Sequence, residues 1–449
     1  MMRMPDALPM HLMLAMMQSG LLPNASMPWS NPLHAFMPDW MRPKTPLEQG
    51  VEQMQTLWQN ASDQWSSLSE QLLKSPFPQP QKPSPQPKQK SDQPPNSADF
   101  LTDFFNPDFL SSLSTQAYNH STGFLQGMQA YLASDYERPE KSYDVLWERG
   151  SARLLDLAPD MLDGVAVLCI PSLINRSTIL DLYPGASFVD YLKARGFRPL
   201  ILDWGTPDAD EQEFTTADYI SFYALDALSA LRENHNGPIA VLGYCMGGIF
   251  ATAVAQLAAR EVDALILLAT PWDFSAPDTP TVLLAAPTQA MLRQWIGSQS
   301  PVQPLVTQTV FHLIDPWRVQ EKFSRYPHLS DAEKQHFLAV EQWVNDGVPL
   351  AQKVAEECFV DWPHGNILAN HQWKIGRRWI EPASITCPTL AVIPTRDLIV
   401  PKGCALPLTQ ALTRCDVLMP ETGHVSMVVG KNAKKLMWEP VAEWLEEKF

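Results

Sequence analysis

The chain has 449 residues, 45% of them apolar, which is enough for one large domain with additional segments. Its formal net charge of -16 argues against nucleic acid as a partner and against binding to anionic membranes through bulk charge. No run of about eighteen apolar residues occurs, so we expect no membrane span. Six cysteines without a CxxC pair favour reduced thiols in a cytoplasm over secreted disulfides.

The first predicted module, residues 1–74, is helical. Thr45, Pro46 and Glu48 fit a helix start with a capping box. Apolar or small residues then recur at alternating spacings of four and three, at positions 47, 51, 54, 58, 61, 65, 68 and 72. This spacing predicts a coiled-coil seam that binds a partner. An ordinary amphipathic helix that packs on the rest of the protein is the alternative interpretation.

Residues 75–98 are predicted to be an extended linker, because eight prolines mixed with Gln, Lys and Ser cannot pack a core. A second helical segment, 99–142, follows. Asn106 and Pro107 mark a helix start there, and an apolar stripe continues along positions 110, 113, 117, 121, 124, 128 and 132.

From residue 143 to residue 449 the sequence alternates between strand and helix patterns. Short runs rich in Val, Ile and Leu occupy 165–170, 199–204, 239–244, 264–270 and 389–395. Such runs predict an α/β fold with a mostly parallel sheet covered on both faces. Residues 272–383 interrupt the alternation with a largely helical pattern, and we expect them to form a cap over the carboxyl edge of the sheet.

The motif Gly243-Tyr244-Cys245-Met246-Gly247 lies between a predicted strand and a predicted helix. This is the G-x-S-x-G nucleophile elbow of the α/β-hydrolase fold, with cysteine in place of serine. Its sulfur would lie at a helix N-terminus, where exposed N–H groups and the helix dipole favour a thiolate. The alternative is a buried structural cysteine on a glycine-rich turn.

Two further candidate catalytic residues follow in the order expected of this fold, first an acid and then a histidine. Asp397 comes directly after the predicted strand 389–395, and His424 comes after DVLMP (416–420), the predicted last strand. Both would therefore lie on loops at the carboxyl ends of strands, where such sites are built. A turn-capping carboxylate and a solvated loop histidine are the alternatives.

A thiolate and imidazole pair of this kind needs an oxyanion hole. We expect the Met246 backbone N–H to supply one donor, because it directly follows the nucleophile. The second donor is expected from the loop after the first core strand, near Leu173 or Ile174. The chemistry requires no metal and no redox cofactor.

Several motifs in residues 143–449 resemble the polyhydroxyalkanoate synthase family. They are LGYCMGG at 242–248, PSLINR at 171–176, ILDL at 179–182, DWGTP at 203–207, DYI at 218–220, YDVLW at 143–147, RLL at 153–155 and the neighbourhoods of Asp397 and His424. DWGTP looks closest to the type whose catalytic subunit works with a separate helical subunit.

The resemblance implies an acyltransferase that polymerises (R)-3-hydroxyacyl-CoA through a thioester on Cys245 and releases CoA. His424 would act as the base and Asp397 would orient it. The implied partners are the substrate, the growing polyester chain at a cytoplasmic granule surface, a second copy of the chain and a helical subunit. A cysteine esterase, thioesterase or polyhydroxyalkanoate depolymerase is one alternative, and an inactive granule-associated scaffold is another.

Overall fold

The computed structural model describes residues 123–124, 126–131, 133–315 and 318–449. The predicted module 1–74, the linker 75–98 and the beginning of the segment 99–142 lie outside these residues, so the proposed division of the chain stays a prediction. The described residues form two compact units. One unit contains those up to 134 together with 318–328, and the other contains 135–315 and 329–449.

In the described part of the first unit, helical residues pack against Phe323. Residues 123–124 and 126–131 are helical, and a helix at Arg318–Arg325 is followed by a 3-10 turn at Tyr326–His328. The ring of Phe323 meets the rings of Phe124 and Tyr131 edge-on, at centroid distances of 6.3 and 5.5 Å. Such edge-to-face contacts are favourable between buried aromatic rings.

The second unit is built on a β-sheet. Its strands are β1 Asp144–Arg149, β2 Ala152–Asp156, β3 Ala166–Ile170, β4 Arg198–Asp203, β5 Ile239–Tyr244, β6 Ala264–Leu268, β7 Lys374–Ile375, β8 Arg378–Trp379, β9 Thr389–Val392 and β10 Cys415–Leu418. Among the described residues, eight of them form one sheet in the order β1-β2-β4-β3-β5-β6-β9-β10, and β7 pairs with β8 in a separate hairpin.

The pairing within this sheet is mostly parallel. All neighbours from β4 to β10 are parallel, whereas β1 pairs antiparallel with β2, and β2 pairs antiparallel with β4. Each of the five predicted strands corresponds to an observed one, and the predicted last strand is β10. Every residue of β3, β5, β6 and β9 is buried, which explains their continuous apolar sequences.

Helices follow or separate most of the strands. They are α1 Phe188–Ala194, α2 Thr216–Tyr219, α3 Leu225–Glu233, α4 Met246–Leu257, α5 Thr281–Leu284, α6 Ala286–Gly297, α7 Pro304–Ile314, α8 Asp331–Asn345, α9 Gln352–Glu356, α10 Trp362–Gly365, α11 Lys402–Ala411, α12 His424–Val429 and α13 Glu439–Lys448. Segments of π-helix lie at Ile220–Ala224, Glu357–Asp361 and Lys434–Trp438, and 3-10 turns lie at Ser177–Leu180, Glu211–Glu213 and Pro382–Ser384.

The sheet has a hydrophobic core on each face. Alternate residues of a strand point to opposite faces, so Val241 joins the core that contains α3 and α4, while Leu242 joins the core that contains α1 and α13. The predicted fold class, a mostly parallel sheet covered by helices on both faces, is therefore confirmed. None of the helices in the described ranges is long and apolar enough to cross a membrane.

The predicted cap, residues 272–383, lies between β6 and β9. Its described part is mainly helical, with α5 to α10, as the sequence pattern indicated. Two features differ from the prediction. The short hairpin of β7 and β8 was not predicted, because two-residue strands leave no periodic pattern, and residues 318–328 belong to the first compact unit.

Candidate active site

Cys245 lies on a sharp turn between β5 and α4. Its backbone has φ 56° and ψ -125°, a conformation that non-glycine residues rarely adopt. The Cys245 N–H donates a hydrogen bond to the Leu268 carbonyl at 2.8 Å, and its own carbonyl accepts one from the Gly248 N–H at 2.9 Å. Cys245 is partly exposed. The turn therefore has the geometry of a nucleophile elbow.

Two glycines of the motif are required by close backbone approach. A Cβ on Gly243 would lie 2.4 Å from the Gly247 carbonyl oxygen, across the turn. A Cβ on Gly247 would lie 2.0 Å from the carbonyl oxygen of Ile170, at the end of β3. Any side chain at either position would force the elbow away from the sheet, so the motif is explained by packing at the turn.

His424 and Asp397 are joined by a short hydrogen bond. The His424 Nδ1 donates to the Asp397 Oδ2 at 2.6 Å, because a carboxylate oxygen can only accept. The other oxygen, Oδ1, accepts the backbone N–H groups of Ile399 and Val400 at 2.8 and 2.9 Å. Both oxygens of the buried Asp397 are thus occupied, and the carboxylate fixes the orientation of the imidazole ring.

The imidazole of His424 also lies within hydrogen-bonding reach of the Cys245 sulfur. Since Nδ1 faces Asp397, Nε2 is the nitrogen available to Cys245. Burial lowers the pKa of His424, but the charges of Asp397 and Cys245 and the hydrogen bonds to them raise it further, to about 10. His424 is therefore protonated at neutral pH.

The structure thus brings together the three side chains that the sequence singled out as candidate catalytic residues. Cys245 follows β5, Asp397 follows β9, and His424 begins α12 after β10. Because these strands are parallel, their carboxyl ends lie along one edge of the sheet. This explains why residues separated by as many as 179 positions in the sequence can meet.

The candidate oxyanion donors lie on two neighbouring segments. Met246 is the first residue of α4, so its N–H has no acceptor within the helix. The Ile174 N–H donates to the Ser172 hydroxyl at 3.2 Å. The Ile174 N–H therefore already has an acceptor, and the assignment of Leu173 as the second donor stays a prediction. The Leu173 side chain lines a small cavity together with Trp204, Tyr219, Leu350 and Val354.

The cap contacts the core beside the nucleophile. Cys358, in the π-helical segment Glu357–Asp361, places its sulfur 3.6 Å from the Met246 sulfur. The neighbouring Glu357 carboxylate accepts hydrogen bonds from the backbone N–H of Thr216, at 3.0 Å, and from its hydroxyl. Sequence reasoning missed both contacts, because nothing in the local pattern links positions so far apart.

The remaining thiols have environments that suppress ionisation. Burial raises the pKa of Cys169 and Cys404 to about 12, and that of Cys387 and Cys415 to about 11. Burial and the charges of Glu357 and Cys245 raise the pKa of Cys358 well above its ordinary value. All six cysteines are free thiols. Within the described ranges, no group of three or more His, Cys, Asp or Glu side chains could hold a metal ion.

Comparison with known proteins identifies the class of fold. The family model for the alpha/beta hydrolase fold matches residues 165–431, which is more than half of the chain. The chain therefore belongs to the α/β-hydrolase fold family. Among solved structures, a serine hydrolase from Cycloclasticus zankles is 14% identical, with a TM-score of 0.46, and the match covers 69% of this chain and 99% of that one.

Two curated relatives indicate which group of proteins with this fold the chain resembles. The chain is similar to the poly(3-hydroxyalkanoate) polymerase subunit PhaC of Haloferax mediterranei, with 26% identity over 326 residues, 68% of this chain and 64% of the relative. It is also similar to the subunit PhaC of Allochromatium vinosum, with 27% identity over 292 residues, 63% of this chain and 81% of the relative. The chain thus matches less than two thirds of the Haloferax protein. The resemblance to polyhydroxyalkanoate synthases is confirmed.

Proposed function

We propose that the protein is an acyltransferase that polymerises (R)-3-hydroxyacyl-CoA into polyhydroxyalkanoate. The observation that carries this proposal is the arrangement of Cys245, His424 and Asp397 at the elbow of an α/β-hydrolase fold. The names of the relatives, poly(3-hydroxyalkanoate) polymerase subunits, support the same substrate class. A cysteine suits this chemistry, because the acyl-enzyme is a thioester of similar energy to acyl-CoA.

In the proposed first step, the Cys245 sulfur attacks the carbonyl carbon of the acyl-CoA thioester. The oxygen of the tetrahedral intermediate would accept hydrogen bonds from the backbone N–H groups of Met246 and Leu173. The carbon–sulfur bond to CoA then breaks, and protonated His424 gives its proton to the departing CoA sulfur. The product is an acyl group on Cys245, with His424 now neutral.

In the proposed second step, the neutral His424 takes a proton from the 3-hydroxyl group of the acceptor. This acceptor is a second monomer or the end of the growing chain. Its oxygen attacks the acyl group on Cys245, an ester bond forms, and the cysteine leaves as a thiolate. Asp397 holds the imidazole in the tautomer that this step requires. No cofactor takes part, since CoA is only a portion of the substrate.

Polymerisation requires that a hydroxyl group, and not water, receives the acyl group. The cap supports this selectivity because Cys358 and Glu357 hold it against the residues beside the elbow. A covered, apolar site lowers the local availability of water, which would otherwise hydrolyse the acyl-enzyme.

Incubation of the protein with 3-hydroxybutyryl-CoA tests this function directly. A synthase releases CoA and accumulates insoluble polyester. A thioesterase or depolymerase carries the same three residues but transfers the acyl group to water, so it would release CoA and soluble 3-hydroxybutyrate. Polyester yield per CoA released therefore separates the two activities, and the absence of polymer at full CoA release would overturn the proposal.

An inactive granule-associated scaffold is the third possibility, from a different class. It predicts no CoA release and no acylation of Cys245, together with retained binding to polyester granules. Intact-mass spectrometry after brief exposure to 3-hydroxybutyryl-CoA distinguishes this case, because the proposed enzyme gains the mass of an acyl group.

We further propose that the protein works in the cytoplasm at the surface of polyester granules, as a homodimer, and that residues 1–74 are a built-in helical subunit or dock one. Tethering through the linker 75–98 would raise the effective concentration of such a helix. The full chain and a variant that lacks residues 1–74 should differ in specific activity, lag phase, oligomeric state or granule binding. If all four are unchanged, the module has no such role.

A further inference from the structure

Tyr244 is the residue directly before the nucleophile, and it contacts the base. It is the last residue of β5 and is 3% exposed. Its ring lies against the imidazole of His424, with centroids 5.2 Å apart and an angle of 34° between the ring planes. Its hydroxyl donates a hydrogen bond to the backbone carbonyl of His424 at 3.4 Å. One side chain thus contacts both the ring and the main chain of the base.

Three groups surround the imidazole from different elements. Asp397 faces Nδ1 from the loop after β9, and Cys245 faces the ring from the elbow. Tyr244 covers the ring from the end of β5. Burial, together with the charges of Cys245 and Asp397, holds the pKa of Tyr244 well above its ordinary range, so the phenol stays neutral. A neutral aromatic face beside a protonated imidazole is favourable, because the ring face is electron-rich.

We propose that Tyr244 is a positioning residue that holds the imidazole of His424 against Cys245. The ring supports the imidazolium, and the hydroxyl fixes the backbone of His424 at the start of α12. This role rests on the proposed function, in which His424 and Cys245 act as a pair. It goes beyond that function, because the proposed steps use only Cys245, His424 and Asp397 and give Tyr244 no role.

The test measures alkylation of Cys245 by iodoacetamide as a function of pH, with peptide mass spectrometry to isolate the signal of this residue. The unmodified protein gives the reference rate at each pH, because the thiolate is the form of cysteine that reacts. In Tyr244→Leu, the profile should move to higher pH, and the rate near pH 6.5 should fall roughly threefold to thirtyfold. Tyr244→Phe keeps the ring and should restore most of the rate.

Tyr223→Leu is the matched control. Tyr223 is also 3% exposed, but its ring contacts Trp147 and its hydroxyl bonds to Glu211. This variant should lose thermal stability without a change in the alkylation profile. If Tyr244→Leu does not fold, Tyr244→Met removes the ring with less loss of volume and receives the same prediction. An unchanged profile in the folded ring-less variant, or an equal shift in Tyr223→Leu, would overturn the proposal.

The alkylation assay also separates this proposal from the proposed function, because it needs no acyl-CoA. If the Tyr244 variants shift the profile but the protein makes no polyester, the positioning role stands and the synthase function fails. If polyester forms and the profile does not depend on Tyr244, the function stands and the positioning role fails. A lower turnover number with an unchanged KM in Tyr244→Leu would agree with a role in the chemical steps.

Discussion

Two opposite edges of the central sheet each bury a carboxylate against a basic side chain. At the carboxyl edge, Asp397 bonds to His424. At the amino end of β4, Arg198 donates two hydrogen bonds to one oxygen of Asp156. They come from its Nε at 3.1 Å and from its Nη2 at 2.6 Å. The other oxygen of Asp156 accepts the Ala158 N–H at 3.0 Å. Both carboxylates are therefore fully bonded, yet only one of the two pairs lies beside a nucleophile.

The difference between the edges lies in the basic partner. A guanidinium does not exchange its proton in enzyme chemistry, so the pair of Arg198 and Asp156 is a structural ion pair. His424 can give up and regain a proton, which is what acyl transfer requires. A buried ion pair thus stabilises structure at one edge and supports chemistry at the other.

A second histidine sharpens the comparison. His235 is 3% exposed and lies beside Arg198, with its Nδ1 3.3 Å from Nη1, while its Nε2 lies 2.8 Å from the Gly164 carbonyl oxygen. Burial lowers the pKa of His235, the bond to Gly164 partly opposes this, and the positive charges of Arg198 and Arg232 lower it further. His424, beside negative groups, has its pKa shifted in the opposite direction.

The largest expected effect belongs to the nucleophile. Cys245→Ala should lower CoA release by at least about ten thousandfold, because the acyl-enzyme cannot form and the thiol nearest the elbow, Cys358, is buried with a strongly raised pKa. Cys387→Ser is the control, since Cys387 is a half-buried thiol before β9, away from the three residues. It should retain turnover. CoA release that persists in Cys245→Ala would disprove the proposed mechanism.

Variants of His424 and Asp397 should be impaired at different steps of the proposed reaction. His424→Gln should slow acylation of Cys245 about a thousandfold, because formation of the thiolate loses its base and the departing CoA sulfur loses its proton donor. Asp397→Asn should still permit acylation but impair elongation, since the imidazole loses the carboxylate that orients it. Of these two variants, only Asp397→Asn should then carry a short acyl group in intact-mass spectrometry. Equal loss of acylation in both variants would contradict separate roles.

At the amino edge, the expected effect is on stability and not on chemistry. Arg198→Met leaves the Asp156 carboxylate buried without its partner and should lower the free energy of unfolding by about 3–5 kcal/mol. The double variant Arg198→Met with Asp156→Leu removes both charges and should recover much of the lost free energy of unfolding. Turnover per folded molecule should stay unchanged, as measured after correction for the folded fraction. A specific loss of turnover would show that the two edges are coupled.

The sequence predicted the carboxyl edge far better than the amino edge. Apolar runs located β3, β5, β6 and β9, and the elbow motif placed Cys245 at the end of one of them. Asp397 and His424 followed from their order after further strands. In contrast, the pair of Asp156 and Arg198 has no local signature, because 42 residues separate its members. The antiparallel strands β1 and β2 escaped detection because β1 is largely exposed and has no continuous apolar run.

Contacts made by the cap could not be predicted from the sequence either. Cys358 and Met246 meet across 112 residues, and their contact depends on how a π-helical segment packs on α4. The placement of Tyr244 against His424 likewise spans 180 residues. Patterns of neighbouring residues indicate whether a segment is a helix or a strand and which residues form a turn. They carry no information on which distant side chains pack against that segment.

The pH dependence of stability should have opposite signs for the two histidines. Because the folded pKa of His424 is about 10, above the unfolded value of about 6.5, its contribution is complete below pH 6.5 and is lost as the pH rises through 10. The folded pKa of His235 is lowered, so its contribution is complete above pH 6.5 and is lost as the pH falls.

Urea denaturation at acidic, neutral and alkaline pH can measure both contributions. His424→Gln should remove part of the decline in the free energy of unfolding between pH 6.5 and 10. His235→Gln should instead flatten the decline below pH 6.5 and should leave the alkylation profile of Cys245 unchanged, because His235 lies at the opposite edge of the sheet. If both variants flatten the same side of the curve, the charges around the two rings do not set their pKa values in opposite directions. The difference between the amino edge and the carboxyl edge would then rest only on the hydrogen bonds of Asp156 and Asp397.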